Sequence, residues 1–439
     1  MKRNIQGRVG VIAAGVLAIS LSACAAGDNA AGGNTATELS ADPVTIRMNW
    51  WGGDGRHQRT KEAIDLFEKK YPNITVEPEF SDWSGYWEKL ATATAGKNSA
   101  DVIQMDQLYL ASYASRGALV DLNDFEIDSS GMEPSVLGMG EWDSGQYAIP
   151  ISTASTAILV NTDLLEKLGV PLPENSDSWT WDEFGAWAKQ VTDASPAGTY
   201  GASIMNSEYH LQLFARQRGD DLFDGAKVAI KPATLEAYFQ ELLDWTTSGA
   251  ASPASVSAET AKLAVDQQPF AVGTVATTFG TATMISAFTN ASGANIDILP
   301  IPSLSDGVED FDYFKPGMYW SLSSQSKHPA EAAALINFLL TDPEALTLIG
   351  TERGLPANAK TLEIVRADLT PEETEAVDYA EARTAFLSDA PAAIVPSGAS
   401  DIDAVLMRYT QEVTFERQTP ADAAKSMIAD LQASIDQAN

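Results

Sequence analysis

The stretch Val44-Thr-Ile-Arg-Met-Asn-Trp-Trp-Gly-Gly-Asp-Gly-Arg-His57 changes character half-way along. Val44, Ile46 and Met48 alternate with Thr45, Arg47 and Asn49, the two-residue period of a strand. Two tryptophans and a Gly-Gly-Asp-Gly turn then break the pattern before a helical segment. Ligands of open α/β sheets bind outside the carboxyl ends of the strands, which makes Trp50 and Trp51 one wall of an expected cleft. Neighbours on an extended segment point to opposite faces, so one of the two is expected to meet a ligand while the other packs inward.

Working outward, the same alternation of elements continues. Thr60, Ala63, Ile64, Phe67 and Tyr71 recur at helical spacing up to Pro72, and residues 74–80 read as a second strand. Trp83, Trp87 and Leu90 mark a second helix, and residues 100–105 a third strand ending in Asp106. This βαβαβ order implies a mostly parallel sheet with helices on both faces. A second α/β unit begins with the apolar strand at residues 156–160, and the chain closes with a long helix near residues 421–437. With 439 residues, about two to three times a typical domain, the chain is expected to be an α/β protein of two lobes, each burying its own core.

The first 23 residues differ from the rest: Lys2, Arg3 and Arg8 precede an apolar run at residues 9–21, too short for a comfortable span and charged at its start like an export signal. Leu21-Ser22-Ala23-Cys24 resembles the lipobox of bacterial lipoproteins, and Cys24 is the single cysteine. Disulfides are thereby excluded, and Cys24 is the expected site of lipid attachment. Residues 24–42, rich in Ala, Gly, Asn, Thr and Ser, read as a flexible tether. Removing the signal takes away three positive charges and no negative ones, moving the formal charge from −32 to −35. A field of that sign argues against nucleic acid and anionic lipid as partners.

Catalytic constellations are sparse. His57, His210 and His328 are scattered without metal-ligand spacing, and zinc thiolates are impossible with one cysteine, so no metal and no cofactor are expected. Phosphate-binding and nucleophile-elbow glycine motifs are missing, and Ser324-Gln-Ser-Lys327 matches a serine-enzyme motif without its companion sequences. Asp121, Asn123, Asp124, Glu126 and Asp128 form an acidic turn whose spacing departs from a calcium loop. Paired carboxylates for glycoside cleavage stay open, because spatial separation decides that chemistry and the chain has 60 acids. In abundance instead are aromatic residues beside polar turns: Trp50-Trp51, Trp83, Tyr86-Trp87, Trp179, Trp181 and Tyr319-Trp320. A sugar ring, with apolar C–H faces and hydroxyl edges, needs such platforms plus a few carboxylates or amides.

These residues resemble a known family. The Leu-Ser-Ala-Cys24 segment, the strand into Trp50-Trp51-Gly-Gly, the helix containing residues 63–74, Tyr86-Trp87-Glu-Lys-Leu90, Ala100-Asp101-Val102, residues 116–122, Ile149-Pro150, Asn161-Thr-Asp-Leu164, residues 337–345 and Arg353-Gly-Leu-Pro356 are similar, in order, to extracellular solute-binding lipoproteins of carbohydrate ABC importers, the maltose-binding-protein-like family 1. The resemblance implies a periplasmic-binding-protein-like fold with a central ligand cleft and hinge crossings near residues 151–155, Asp297 and residues 351–356. Lobe 1 would then hold residues 44–152 and 299–350, and lobe 2 residues 156–297 and 352–439.

It also implies a lipid-anchored, exported monomer that captures a sugar and delivers it to membrane permease subunits without chemical change. A surface glycoside hydrolase or transglycosylase is the alternative, and an adhesin a third reading. The expected ligand residues are Trp50, Trp51, Trp83, Asp106, Tyr319 and Trp320 from the first lobe and Phe279 from the second, with Arg56 and His57 behind them. Asp106 has a competing reading as a helix N-cap.

Overall fold

The computed structural model describes residues 38–260, 263–304, 311–388 and 393–439, so the export signal, Cys24 and most of the tether lie outside the described residues. Two sheets organise the chain, two short hairpins aside. In chain order their strands are β1 (Val44–Trp51), β2 (Ile74–Ser81), β3 (Val102–Met105), β4 (Ile149–Ala154), β5 (Thr156–Asn161), β6 (Tyr200–Ala202), β7 (Val275–Thr281), β8 (Ile296–Leu299), β9 (Lys315–Leu322) and β10 (Leu355–Pro356). The first sheet is six-stranded in the order β10-β4-β9-β3-β1-β2, and the second four-stranded in the order β8-β5-β7-β6.

Within the first sheet β1, β2 and β3 run parallel, as the βαβαβ pattern predicts, while β9, β4 and β10 are antiparallel additions. Pro78 is tolerated because β2 is an edge strand, where a missing N–H costs no ladder bond. The alternation of β1 divides the lobe's apolar residues between two faces. Val44, Ile46, Met48 and Trp50 pack with Phe67, Trp320, Leu335 and Phe338 beneath helices Asp54–Lys70 and Pro329–Thr341. Trp51 packs on the other face with Tyr86, Trp87, Met105, Leu110 and Tyr319. In the second lobe β5 is buried along its whole length, as befits an interior strand covered on both sides. Helices Trp181–Ala194, Pro232–Ser248, Ile402–Thr414 and Pro420–Ala438 share one large core there.

The crossings between lobes differ from the expected ones at two of three places. The first falls at Ser155, between β4 and β5, within the expected stretch. The second is displaced from Asp297. β8 runs on to Leu299 opposite Ile158, Trp179 Nε1 donates to the Pro300 carbonyl at 3.1 Å, Ser303 bridges to Thr180, and Phe311 and Tyr313 lie in the second lobe's core. A buried ion pair of 2.8 Å between Arg383 and Asp312 also holds the segment, so the chain returns to the first lobe only at Lys315. The third crossing is displaced from residues 351–356, because β10 pairs with β4 and helix Ala359–Val365 packs beside helix Pro343–Ile349 of the first lobe. The transfer comes between Val365 and Pro371, after which helix Pro371–Arg383 packs on β8 and helix Ile285–Ser292. A two-residue strand such as β10 carries no periodicity that a sequence could display.

Candidate functional site

The strand β3 ends where helix Gln107–Ala114 begins, and Asp106 joins them by capping: its Oδ1 accepts the Leu108 N–H at 2.9 Å. In the second lobe β6 ends at Ala202 and leads through residues 203–207 into helix Glu208–Arg216. No side chain of that helix's own start caps it. Instead the Glu208 N–H donates to Asp403 Oδ1 at 2.6 Å, from the first turn of helix Ile402–Thr414. Gln107 Nε2 donates to Glu208 Oε2 at 2.9 Å, which brings the carboxyl ends of β3 and β6 face to face across the lobes.

The seam so formed is acidic. Burial raises the carboxyls of Asp106 and Asp403, and it pushes Glu208 up to about 8. Lys315, the first residue of β9, opposes all three shifts, and its ammonium lies 5.7 Å from the Tyr209 ring centroid. A neutral Glu208 is both donor and acceptor, whereas an ionised one only accepts. Beside the seam, a second-lobe cavity of about 260 Å³ is lined by Ser203, Asn206, Ser207, Tyr209, Thr278 and Phe279, a mixture of hydroxyls, an amide and ring faces. On the first-lobe side Trp83 is 40% exposed and stands edge-on to Trp51 at 5.0 Å. Tyr109 follows at 6.3 Å from Trp83, stacked on Trp87 at 3.7 Å and 15°.

The expected ligand residues divide sharply. Trp83, Asp106 and Phe279 lie around the seam, Phe279 with one side in the cavity and the other stacked on Trp245 at 5.7 Å. Trp51 belongs to the wall but is almost fully buried behind Trp83. Trp50, Tyr319 and Trp320 are corrections: all three are core residues. Trp50 has no exposed surface and donates from Nε1 to His57 Nδ1 at 3.1 Å. Tyr319 is buried with its hydroxyl on the Met139 carbonyl at 3.0 Å, and Trp320 is buried with the Arg353 guanidinium 5.1 Å from its ring. Arg56 and His57 are corrected too. Arg56 clamps the Trp51 and Glu352 carbonyls at 3.1 and 2.9 Å and pairs with Glu352, while His57 accepts from Trp50 and packs on Phe80 at 4.2 Å. Desolvation lowers the His57 pKa, in keeping with a neutral acceptor. Among the described residues no group of His, Cys, Asp and Glu is arranged to hold a metal.

Sequence reading missed Gln107, Glu208, Tyr209, Lys315 and Asp403. The strand–turn–helix rule that drew attention to Trp50 applies equally to Ser207-Glu208-Tyr209 after β6, but that segment carries no tryptophan to draw attention to it. Asp403 and Lys315 sit far away in sequence, and nothing local announces either.

Residues 54–345 match the family of bacterial extracellular solute-binding proteins. The chain belongs to this family. The family's description is that of proteins that bind solutes. It is 31% identical over 205 residues to the diacetylchitobiose-binding protein DasA of Streptomyces coelicolor, a match covering 45% of each chain. A second relative, an uncharacterized lipoprotein of Streptomyces antibioticus, is 28% identical over 203 residues, 44% of this chain and 40% of that one, so the matches span less than half the length of these curated relatives. Among solved structures, the periplasmic oligogalacturonide-binding protein of Yersinia enterocolitica in complex with saturated digalacturonic acid superposes with a TM-score of 0.78 at 25% identity, over 90% of this chain and 99% of that one.

Proposed function

We propose that this solute-binding protein captures a sugar or oligosaccharide between its lobes and hands it to the permease of an ABC importer, held at the outer face of the membrane by lipid on Cys24, and that it acts as a monomer. The observation that carries the proposal is the seam itself. The Gln107 amide donates to the Glu208 carboxyl across the lobes, with Trp83 on one side and Tyr209 and Phe279 on the other. Hydroxyl groups of a sugar can replace the Gln107–Glu208 bond with several, while its C–H faces cover the rings. A ligand that touches both lobes favours their closure by its differential affinity for the closed state. The sugars in the names of DasA and of the Yersinia protein support the same class of ligand, and the lipoprotein relative supports the anchor.

A thermal-shift panel of neutral mono- and oligosaccharides tests the ligand class. A ligand present at about 100 times its Kd adds roughly 2.7 kcal/mol to the folded state and raises the Tm by several degrees. Absence of any shift across the panel would sink the sugar reading. Mass spectrometry of the exported protein, intact and after Cys24→Ser, tests the anchor, and a Cys24 without lipid would refute it.

A further inference from the structure

The seam between the lobes is short of positive charge. Asp106 ends β3, Glu208 opens the helix after β6, and Asp403 stands in the first turn of helix Ile402–Thr414, so three separate elements bring their carboxyl groups together. Asp403 and Asp106 both raise the Glu208 carboxyl, Asp106 raises Asp403, and Asp221 adds to the same negative field. Lys315 is the cation that opposes them, but its ammonium lies over the Tyr209 ring. Among the described residues no ion pair includes Lys315 or any of the three carboxyls. We infer that the ligand held in the seam carries a protonated amine, so that the sugar this protein takes is an amino sugar or an oligomer of one. This rests on the interlobe sugar reading proposed above.

The carboxyls have acceptors to spare. Asp106 uses Oδ1 on the Leu108 N–H, Glu208 uses Oε2 on Gln107, and Asp403 uses Oδ1 on the Glu208 N–H. The second oxygen of each accepts no hydrogen bond among the described residues, and none of these oxygens is sealed from solvent. Asp106 and Glu208 keep only 6% and 5% of their surface, and that remnant includes the free oxygen. Each therefore presents an unused acceptor from a side chain that is otherwise packed into the protein.

Charge decides which donor gains most from them. A buried carboxylate is costly unless a cation pairs with it, and otherwise it gives up its charge by taking a proton. A sugar hydroxyl donates one hydrogen bond and leaves that cost in place. An ammonium brings three N–H donors and cancels the charge as well, and such charge-assisted bonds are about twice as strong as neutral ones. The rings of the seam suit the same guest, because aromatic faces attract cations: Trp83 and Tyr109 stand on the first lobe, Tyr209 and Phe279 on the second. The net charge of −32 extends the preference beyond the site, drawing in cations and repelling a sugar that carries a carboxylate.

The test is calorimetry at about pH 7, where an amine flanked by polar groups is mostly protonated. The probes are matched in skeleton: glucosamine with its β-1,4 dimer and trimer, the N-acetylated form of each, glucuronic acid, and putrescine as an amine without a sugar. The amine forms should bind at least about tenfold more tightly than their acetylated counterparts, with glucuronic acid the weakest of all. Glu208→Gln and Asp106→Asn remove a charge while keeping the hydrogen-bonding shape, and asparagine still serves as an N-cap. Each should cut the preference for the amine at least about threefold. The two substitutions lie on different lobes, so one variant that misfolds leaves the other to decide. Acetylated forms that bind as tightly as the amines, or an amine preference that survives in both variants, overturn the inference and leave the sugar reading standing. Putrescine bound as tightly as the amino sugars keeps the amine and strikes the sugar reading, whereas binding by none of the probes strikes both.

Discussion

A tryptophan at a strand end can be a platform or a plug, and exposure decides which. Trp83 keeps 40% of its surface, whereas Trp320 keeps 1% under Arg353. Trp320→Ala is therefore expected to cost about 3–5 kcal/mol, since it opens a cavity in a packed core. Trp83→Ala should change stability by no more than about 1 kcal/mol yet abolish the fluorescence change on adding sugar. Denaturant melts and ligand titrations of the two variants check both statements, and equal melts would contradict the assignment. At this scale the sequence was half legible. The opposite facing of Trp50 and Trp51 follows from strand geometry alone and is what the two cores display. That helices cover both faces, burying Trp50 entirely, depends on elements more than 250 residues downstream, such as Pro329–Thr341, and no local pattern foretells it.

Among the elements, helix Gln107–Ala114 reaches across the seam by hydrogen bonds: Gln107 meets Glu208, Ser112 meets Ser400, and the residue after its end, Ser115, meets Ser397. Its second-lobe counterpart is a tight turn made possible by one glycine. Gly398 has φ +88°, and a Cβ there would stand 2.4 Å from the Ser434 carbonyl oxygen of helix Pro420–Ala438. Gly398→Ala is expected to cost about 1–3 kcal/mol from strain and backbone clash, and to shift Ser397 and Ser400 away from the first lobe. Melting together with sugar affinity would check this; a variant as stable and as tight as wild type would show that the turn is not held by that contact. Elements with strong periodicity, such as the helices after β1 and β2 and the long terminal helix, were readable in the sequence. The antiparallel β9 and β10 were not. Lys315-Pro-Gly-Met interrupts one, the other has only two residues, and their partners are chosen by tertiary packing.

For the whole molecule, the buried carboxyls of the seam are expected to make stability depend on pH. Glu208 binds its proton more tightly folded, at about 8, than in an unfolded chain near 4.5. A carboxyl raised in this way contributes stability that is complete below the unfolded pKa and is lost as pH climbs through the folded one, and Asp106 and Asp403 act in the same direction. Wild-type Tm should therefore fall between about pH 5 and about pH 8. Glu208→Gln, which still accepts from Gln107 but cannot ionise, should flatten that fall; an unchanged slope would mean that the lobes do not meet at Glu208 in solution.

The threading of the chain has a consequence for the order in which it can fold during synthesis. Strand β9 lies between β4 and β3 and begins at Lys315, so the first lobe's sheet stays split into two halves until three-quarters of the polypeptide has been made. Contacts of such long sequence separation form slowly, because loop closure must precede the packing that rewards it. A nascent chain with its middle strand still unsynthesised cannot complete the first lobe, so the folding of that lobe waits on the last third of the polypeptide.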